Sequence, residues 1–264
     1  MSSNTNTIVL ITGANTGLGF ETVKAFCQSE TPYTILLGGR SIDKANAAAK
    51  TAQDEFPSSK STIKSVQIDI EDDESITRAF EHVSTEYGRV DVLINNAGGL
   101  FDYTQGLSTR EMWAKSWSVN VSSTYIFTQT FIPLLLKSST PRLLFLASGT
   151  SSLTTTGNSP LPADSLPAAG WPKEGFAIPA YRSSKAGLNM LMREFSRILK
   201  NDGVRVWGVS PGFLATGLGM GQDVSRKMGA LEPSVGAGVV RAVVEGERDG
   251  DVGLVVRKDN VQPF

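Results

Sequence analysis

Two residue types that build reactive or cross-linked sites are nearly missing. The chain has one cysteine, Cys27, and one histidine, His82, in 264 residues. A lone thiol forbids an internal disulfide, and its place in a helical pattern reads as a packed side chain. A lone histidine cannot build a metal cluster, so no metal is expected, and His82 reads as a solvated helix residue. Strong charge of either sign is also missing. Charged residues make up 19% of the chain and the formal net charge is −1, which leaves no footprint for nucleic acid or a membrane surface. No apolar run approaches a membrane span, and residues 1–7 are polar and uncharged, unlike a secretory leader. The expectation is a cytoplasmic enzyme acting on a small molecule.

What the sequence does contain is alternation. Apolar, β-rich runs at 8–11, 34–37, 63–68, 90–94, 142–147 and 204–209 read as buried strands, and 253–256 as a seventh, edge strand. Between them lie helical stretches: one following Gly19, then 41–56, 72–87, one or two helices over 111–136 with a bend at Pro133, 181–200, and one after Ser234. Continuous hydrophobic strands separated by helices predict a parallel sheet covered on both faces. Right-handed crossovers then give a single, doubly wound α/β domain of about seven strands, of the dinucleotide-binding type. Residues 149–180, rich in Ser, Thr, Pro and Gly, read as a long irregular insertion, and loops of that length are usually functional.

The first strand runs into Thr12-Gly13-Ala14-Asn15-Thr16-Gly17-Leu18-Gly19 and then a helix. Glycines let a backbone turn sharply beside a pyrophosphate, and the helix N-terminus offers free N–H groups to it. At the end of the second strand, where an acidic residue would hold the ribose of NAD, stands Gly39-Arg40-Ser41. Arg40 either pairs with a 2′-phosphate, helped by Ser41 and Lys44, or stands solvated; its planar guanidinium favours NADP.

Tyr181 and Lys185 are four residues apart and share a helix face. An ammonium there is expected to lower the phenol's pKa, so that Tyr181 can pass a proton to a carbonyl oxygen or take one from an alcohol. Ser148 ends the fifth strand, where a hydroxyl can polarise a carbonyl, with Ser151 and Ser152 as rivals. Asn120 lies mid-helix, where asparagine is a poor helix former; it either anchors a water beside Lys185 or is a tolerated core amide.

Together, Thr12-Gly13-x-x-x-Gly17-x-Gly19, Asp69, Asn95-Asn96-Ala97-Gly98, Asn120, Ser148, Tyr181-x-x-x-Lys185 and Pro211-Gly212 resemble the short-chain dehydrogenase/reductase family. The resemblance implies an NADP(H) oxidoreductase with Asn120, Ser148, Tyr181 and Lys185 as its catalytic group. It implies a cofactor held by Gly13, Thr16, Gly17, Leu18 and Gly19, by Arg40 and Ser41, and by Tyr181 and Lys185. Asp69 and Ile70 would border the adenine, and Asn96, Ala97 and Gly98 the adenosine ribose. Pro211, Gly212, Leu214 and Thr216 would close over the nicotinamide. Ser148 and Tyr181 stand 33 residues apart, farther than in most members. That insertion, with the ending Gln262-Pro263-Phe264, is similar to the carbonyl-, menthone- and salutaridine-reductase branch. This resemblance implies a monomer, with a dimer as the alternative, its insertion covering the helix face used for assembly, and a place in fungal secondary metabolism.

Prolines stiffen a loop and aromatics supply apolar contact. The insertion is therefore expected to wall the substrate pocket through Trp171 and Phe176. Phe101, Tyr103, Trp113 and residues 218–228 of a substrate loop at 214–232 would complete the wall. Such a pocket suits a bulky apolar or aromatic ketone, imine or quinone. Two rival functions remain. One is a bifunctional reductase/cyclase of alkaloid synthesis, suggested by Pro167-Ala168-Ala169-Gly170-Trp171, although neither alanine can donate a proton. The other is a non-catalytic NADPH sensor, which the intact Ser, Tyr and Lys oppose.

Overall fold

The computed structural model describes residues 6–157, 164–173, 175 and 177–264. Strands β1 (Thr7–Ile11), β2 (Tyr33–Gly39), β3 (Thr62–Gln67), β4 (Val92–Asn95), β5 (Arg142–Leu146), β6 (Arg205–Val209), β7 (Val255–Val256) and β8 (Val261–Gln262) form one sheet in the order β3-β2-β1-β4-β5-β6-β7-β8. Every pairing is parallel except β7 with β8. The expected count of about seven becomes eight. Val255–Val256 is not the edge, because the antiparallel β8 closes over it. A two-residue strand carries too short a period to be read from sequence.

Helices cover both faces: α1 (Gly17–Cys27), α2 (Ile42–Glu55), α3 (Asp73–Tyr87), α4 (Thr109–Trp117), α5 (Thr124–Leu135), α6 (Pro179–Ile198), α7 (Gln222–Lys227) and α8 (Pro233–Val244). Alternation along β1 divides the core, because successive side chains point to opposite faces. Ile8 and Leu10 pack with Phe127, Phe131, Leu188 and Phe195 on the α3–α5–α6 side. Val9 and Ile11 pack with Val23, Phe26, Val240 and Val243 on the α1–α2–α8 side. The helices begin where capping residues stand: Ser41 for α2, Asp72 for α3, and a reciprocal Ser108–Glu111 box for α4. Gly88 ends α3 in the left-handed region at φ 73°. The helical stretch expected at 111–136 is two helices, α4 and α5, joined by a wide π turn, Ser118–Ser123. Among the described residues, no helix is long and apolar enough to cross a membrane.

Candidate active site

Parallel strands bring their carboxyl ends to one edge, where the glycine turn, Arg40, Asp69, Asn96–Gly98, Ser148 and the loop after β6 follow their strands. Gly13 and Gly17 adopt φ 61° and 55°, values that side-chain-bearing residues rarely take. A Cβ on Gly19 would fall 2.5 Å from Asn96 Nδ2 and 2.6 Å from the Gly13 carbonyl oxygen. The turn is held from β4: Asn96 Nδ2 donates to the carbonyls of Thr12 (2.8 Å) and Gly13 (3.0 Å). Thr12 Oγ1 accepts from the Asn96 and Ala97 amides. Thr16 precedes α1 without capping it through its side chain, so the amides of the first turn remain open to a ligand. Leu18 packs against the α1–α2–α8 core. Thr216 approaches Gly17 from the loop after β6, its Cβ 3.6 Å from where a Gly17 Cβ would lie. Leu214 bridges Leu231 and shapes that loop, and Gly212 takes φ 100° within it.

Arg40 is exposed at the end of β2, beside the Ser41 hydroxyl that caps α2. Asp69 and Ile70 follow β3, with Ile70 buried and the Asp69 amide bound to Ser75 Oγ. A strip at Asn96–Gly98, a bent glycine turn and a free arginine form a cradle whose chemistry fits a nicotinamide dinucleotide.

Tyr181 and Lys185 lie on α6, 8% and 5% exposed, with Lys185 Nζ 5.9 Å from the phenol ring centroid. The Ser148 hydroxyl, at the end of β5, hydrogen bonds to Thr150 and lies close enough to the Tyr181 phenol to pull its pKa down. Ser151 and Ser152 do not replace it. Ser151 Oγ turns back to the Ser148 carbonyl (2.6 Å) and accepts from Asn189; Ser152 Oγ accepts from the Thr155 amide.

The tyrosine's electrostatics differ from expectation. Burial pushes its pKa up, Ser148 pulls it down, and the Asp102 carboxylate pushes it further up. Lys185 is not among the groups that act on it, and burial brings the lysine's own pKa down to about 8. Lys185 Nζ donates to the Leu146 carbonyl at 2.8 Å, and an ammonium has three donors.

Asn120 sits in the π turn rather than mid-α-helix. Its Oδ1 accepts from the Gly99 amide (2.9 Å), and its Nδ2 donates to the Gly99 carbonyl and to Ser184 Oγ. A Cβ on Gly98 would meet both Asn120 Oδ1 (3.0 Å) and Lys185 Nζ (3.3 Å). The asparagine therefore ties the cofactor strip to the catalytic helix.

The expected substrate wall is only partly assembled. Phe101 folds back over Gly99 and lies under Lys115 Nζ. Tyr103 reaches the insertion, its hydroxyl donating to the Ala177 carbonyl (3.0 Å). Gly219 of the 214–232 loop approaches Leu100. Trp171 stands 87% exposed, and Phe176 lies outside the described residues. Trp113 lines a hollow of about 600 Å³ with Thr109, Arg110, Ala114 and Trp117, apart from the catalytic group.

Two functional contributions were not read from sequence. Asp102 binds the first amides of α6 through both carboxylate oxygens. Gln262 Nε2 donates to the Ser148 carbonyl at 3.0 Å. Neither stands in a local pattern that signals its partner.

A short chain dehydrogenase profile matches residues 7–162 and 169–227. A short-chain dehydrogenase/reductase of Talaromyces stipitatus, tropE, is 47% identical over 97% of this chain and 97% of its own. Another from Phoma sp., eupG, is 46% identical over 100% of this chain and 99% of its own. Among solved structures, an NADPH-bound carbonyl reductase from chicken fatty liver superposes with a TM-score of 0.78 at 22% identity, covering 98% of this chain and 99% of that one.

Proposed function

Because this chain belongs to the short-chain dehydrogenase family and is an oxidoreductase of it, we propose that it reduces the carbonyl or imine of a bulky apolar or aromatic compound with NADPH. The observation that carries this is the convergence of the Tyr181 phenol, the Ser148 hydroxyl and the buried Lys185 ammonium at the carboxyl end of the sheet, beside the glycine turn. Bound NADPH supplies the hydride. Tyr181 gives its phenolic proton to the carbonyl oxygen, and in the reverse direction its phenolate takes the alcohol proton. The Ser148 hydroxyl donates to the same oxygen and holds it in line with the phenol. Lys185 would hold the cofactor ribose with its remaining donors, and Asn120 keeps the 98–99 backbone against that helix.

The preference for NADPH rests on Arg40, because no carboxylate stands at the end of β2 to hold a bare ribose. The substrate class rests on Phe213, Leu218, Val224 and Met228, which present apolar side chains on the segment after β6 that includes α7, while remaining 42–46% exposed. A role in fungal secondary metabolism, a cytoplasmic location and a monomeric state belong to the same proposal. Sedimentation of the pure protein tests the last, and a dimeric mass would refute it.

The decisive experiment is Tyr181→Phe. NADPH oxidation with a panel of aromatic ketones is expected to fall roughly 100- to 10,000-fold, the usual contribution of a positioned proton donor. NADPH binding, followed by its fluorescence, is expected to persist. Unchanged turnover would refute the assignment.

A further inference from the structure

Helix α6 carries both Tyr181 and Lys185, yet its own first residues do not cap it. Its N-cap residue, Ile178, has no side-chain acceptor, and Pro179 occupies the first turn. The next two amides donate instead to one carboxylate on a distant loop. Ala180 N–H reaches Asp102 Oδ1 at 2.9 Å and Tyr181 N–H reaches Asp102 Oδ2 at 3.1 Å, 78 and 79 residues away. The adjacent Tyr103 grips the same entry segment. Its hydroxyl donates to the Ala177 carbonyl and accepts from the Ala177 amide at 3.1 Å. The stretch of chain bearing these two residues begins at Asn96–Gly98, the strip beside the glycine turn, and Asn120 fixes its Gly99.

We propose that Asp102 is the positioning residue for the Tyr181 acid: its carboxylate supplies the cap that α6 lacks and fixes the phenol relative to the cofactor strip. A carboxylate at a helix N-terminus is favoured by the free amides and by the helix dipole. Its place here has a further consequence. The negative charge is bound to the backbone amide of the residue whose side chain must ionise, so it opposes formation of the phenolate. The other groups facing Tyr181 are few. Lys185 lies on the same helix, and Ser148 at the end of β5. The neighbouring Arg182 is engaged with the Thr150 carbonyl, Thr156 Oγ1 and the Asp164 carboxylate. Asp102 is the anion among them that binds the Tyr181 backbone. The residue thus trades against itself: it orders the acid and holds the proton on it.

This inference rests on Tyr181 being the proton donor, and its test reads Tyr181 without requiring turnover. Tyrosinate ultraviolet absorbance is titrated in the parent and in Asp102→Asn, each minus its own Tyr181→Phe counterpart. The difference isolates one phenol, and the asparagine keeps the shape of the side chain while removing its charge. The expected result is ionisation at lower pH in Asp102→Asn. Where an aromatic secondary alcohol is oxidised with NADP⁺, the acid limb of kcat moves the same way. Asp102→Ala, which removes the cap, is expected to lose kcat by about 10-fold or more through misplacement of the phenol, with the KM for NADP⁺ changed much less.

Coincident Tyr181 titrations in parent and Asp102→Asn would overturn the proposal. So would an Asp102→Ala enzyme with undiminished kcat. A parent that ionises Tyr181 as described but turns over no carbonyl or alcohol would instead count against the proposed function alone.

Discussion

Lys185 is a cation that the fold buries for the sake of its chemistry, and the cost is measurable. Burial brings its pKa from 10.5 to about 8. Between those values the unfolded chain holds a proton that the native chain has released. Stability from this group therefore rises with pH across that window, and the full penalty is present below about pH 8. Replacing the ammonium by a thioether removes the penalty. Lys185→Met is expected to be inactive yet more stable than the parent at neutral pH, by up to about 3 kcal/mol. The gap should close as pH approaches 10.5. Urea unfolding at neutral and alkaline pH checks this, and a gap that does not change with pH would show that burial is not the cause. Arg40 offers a second test at this scale. If its guanidinium binds a 2′-phosphate, Arg40→Ala removes a charged hydrogen-bond pair of about 1.5–3 kcal/mol. The KM for NADPH should then rise roughly 10- to 100-fold while that for NADH barely moves. A parallel rise in both would refute the assignment.

Among the elements, the first strand–turn–helix unit is the most constrained. A methyl group on Gly19 would meet a backbone oxygen and the Asn96 amide at once. Neither gives way without disturbing the bonds from Asn96 to the Thr12 and Gly13 carbonyls. Gly19→Ala is therefore expected to weaken NADPH affinity at least about 10-fold and to lower the melting temperature by a few degrees. Gly238→Ala on α8, away from the site, is its control, because no atom lies within 4 Å of its added Cβ. Equal effects in the two variants would deny the crowding. This unit was legible in sequence because its signals are local: apolar strand, glycine spacing, helix. The same holds for Ser41, Asp72 and Gly88, whose caps lie within a few residues of what they cap. The π turn at Ser118–Ser123 was not legible, because Asn120 leaves the α-helical path for partners at Gly99 and Ser184. The upward shift of the Tyr181 pKa was not legible for a similar reason. A four-residue spacing shows that an ammonium is near, but how deeply both groups are buried is set by packing from other elements.

At the scale of the whole molecule, the edge strand β8 reaches back to the catalytic serine. Gln262 on β8 is fully buried and spans 114 residues to donate to the Ser148 carbonyl. Arg257 Nε and Nη2 hold its Oε1 at 3.1 and 2.9 Å. The sheet order explains this reach. β7 and β8 extend the sheet beyond β6, and their turn brings Gln262 beneath the first residues after β5. A strand of two residues adds little to the sheet itself, so its main contribution is this bracket on the serine. Gln262→Leu keeps the volume and removes the side-chain bonds to the Ser148 carbonyl, Ser151 Oγ and Arg257, leaving the Ser151 amide and Oγ as supports of the Ser148 carbonyl. The expected outcome is a fall in kcat of about 10-fold, with the KM for NADPH unchanged, because the glycine turn and Arg40 lie on the far side of β1. Stability should drop by about 1–3 kcal/mol, since Arg257 would lose its acceptor. Steady-state kinetics beside urea unfolding separate the two effects. A variant destabilised to that extent but catalytically intact would show that β8 supports the fold and leaves the serine's placement to Ser151.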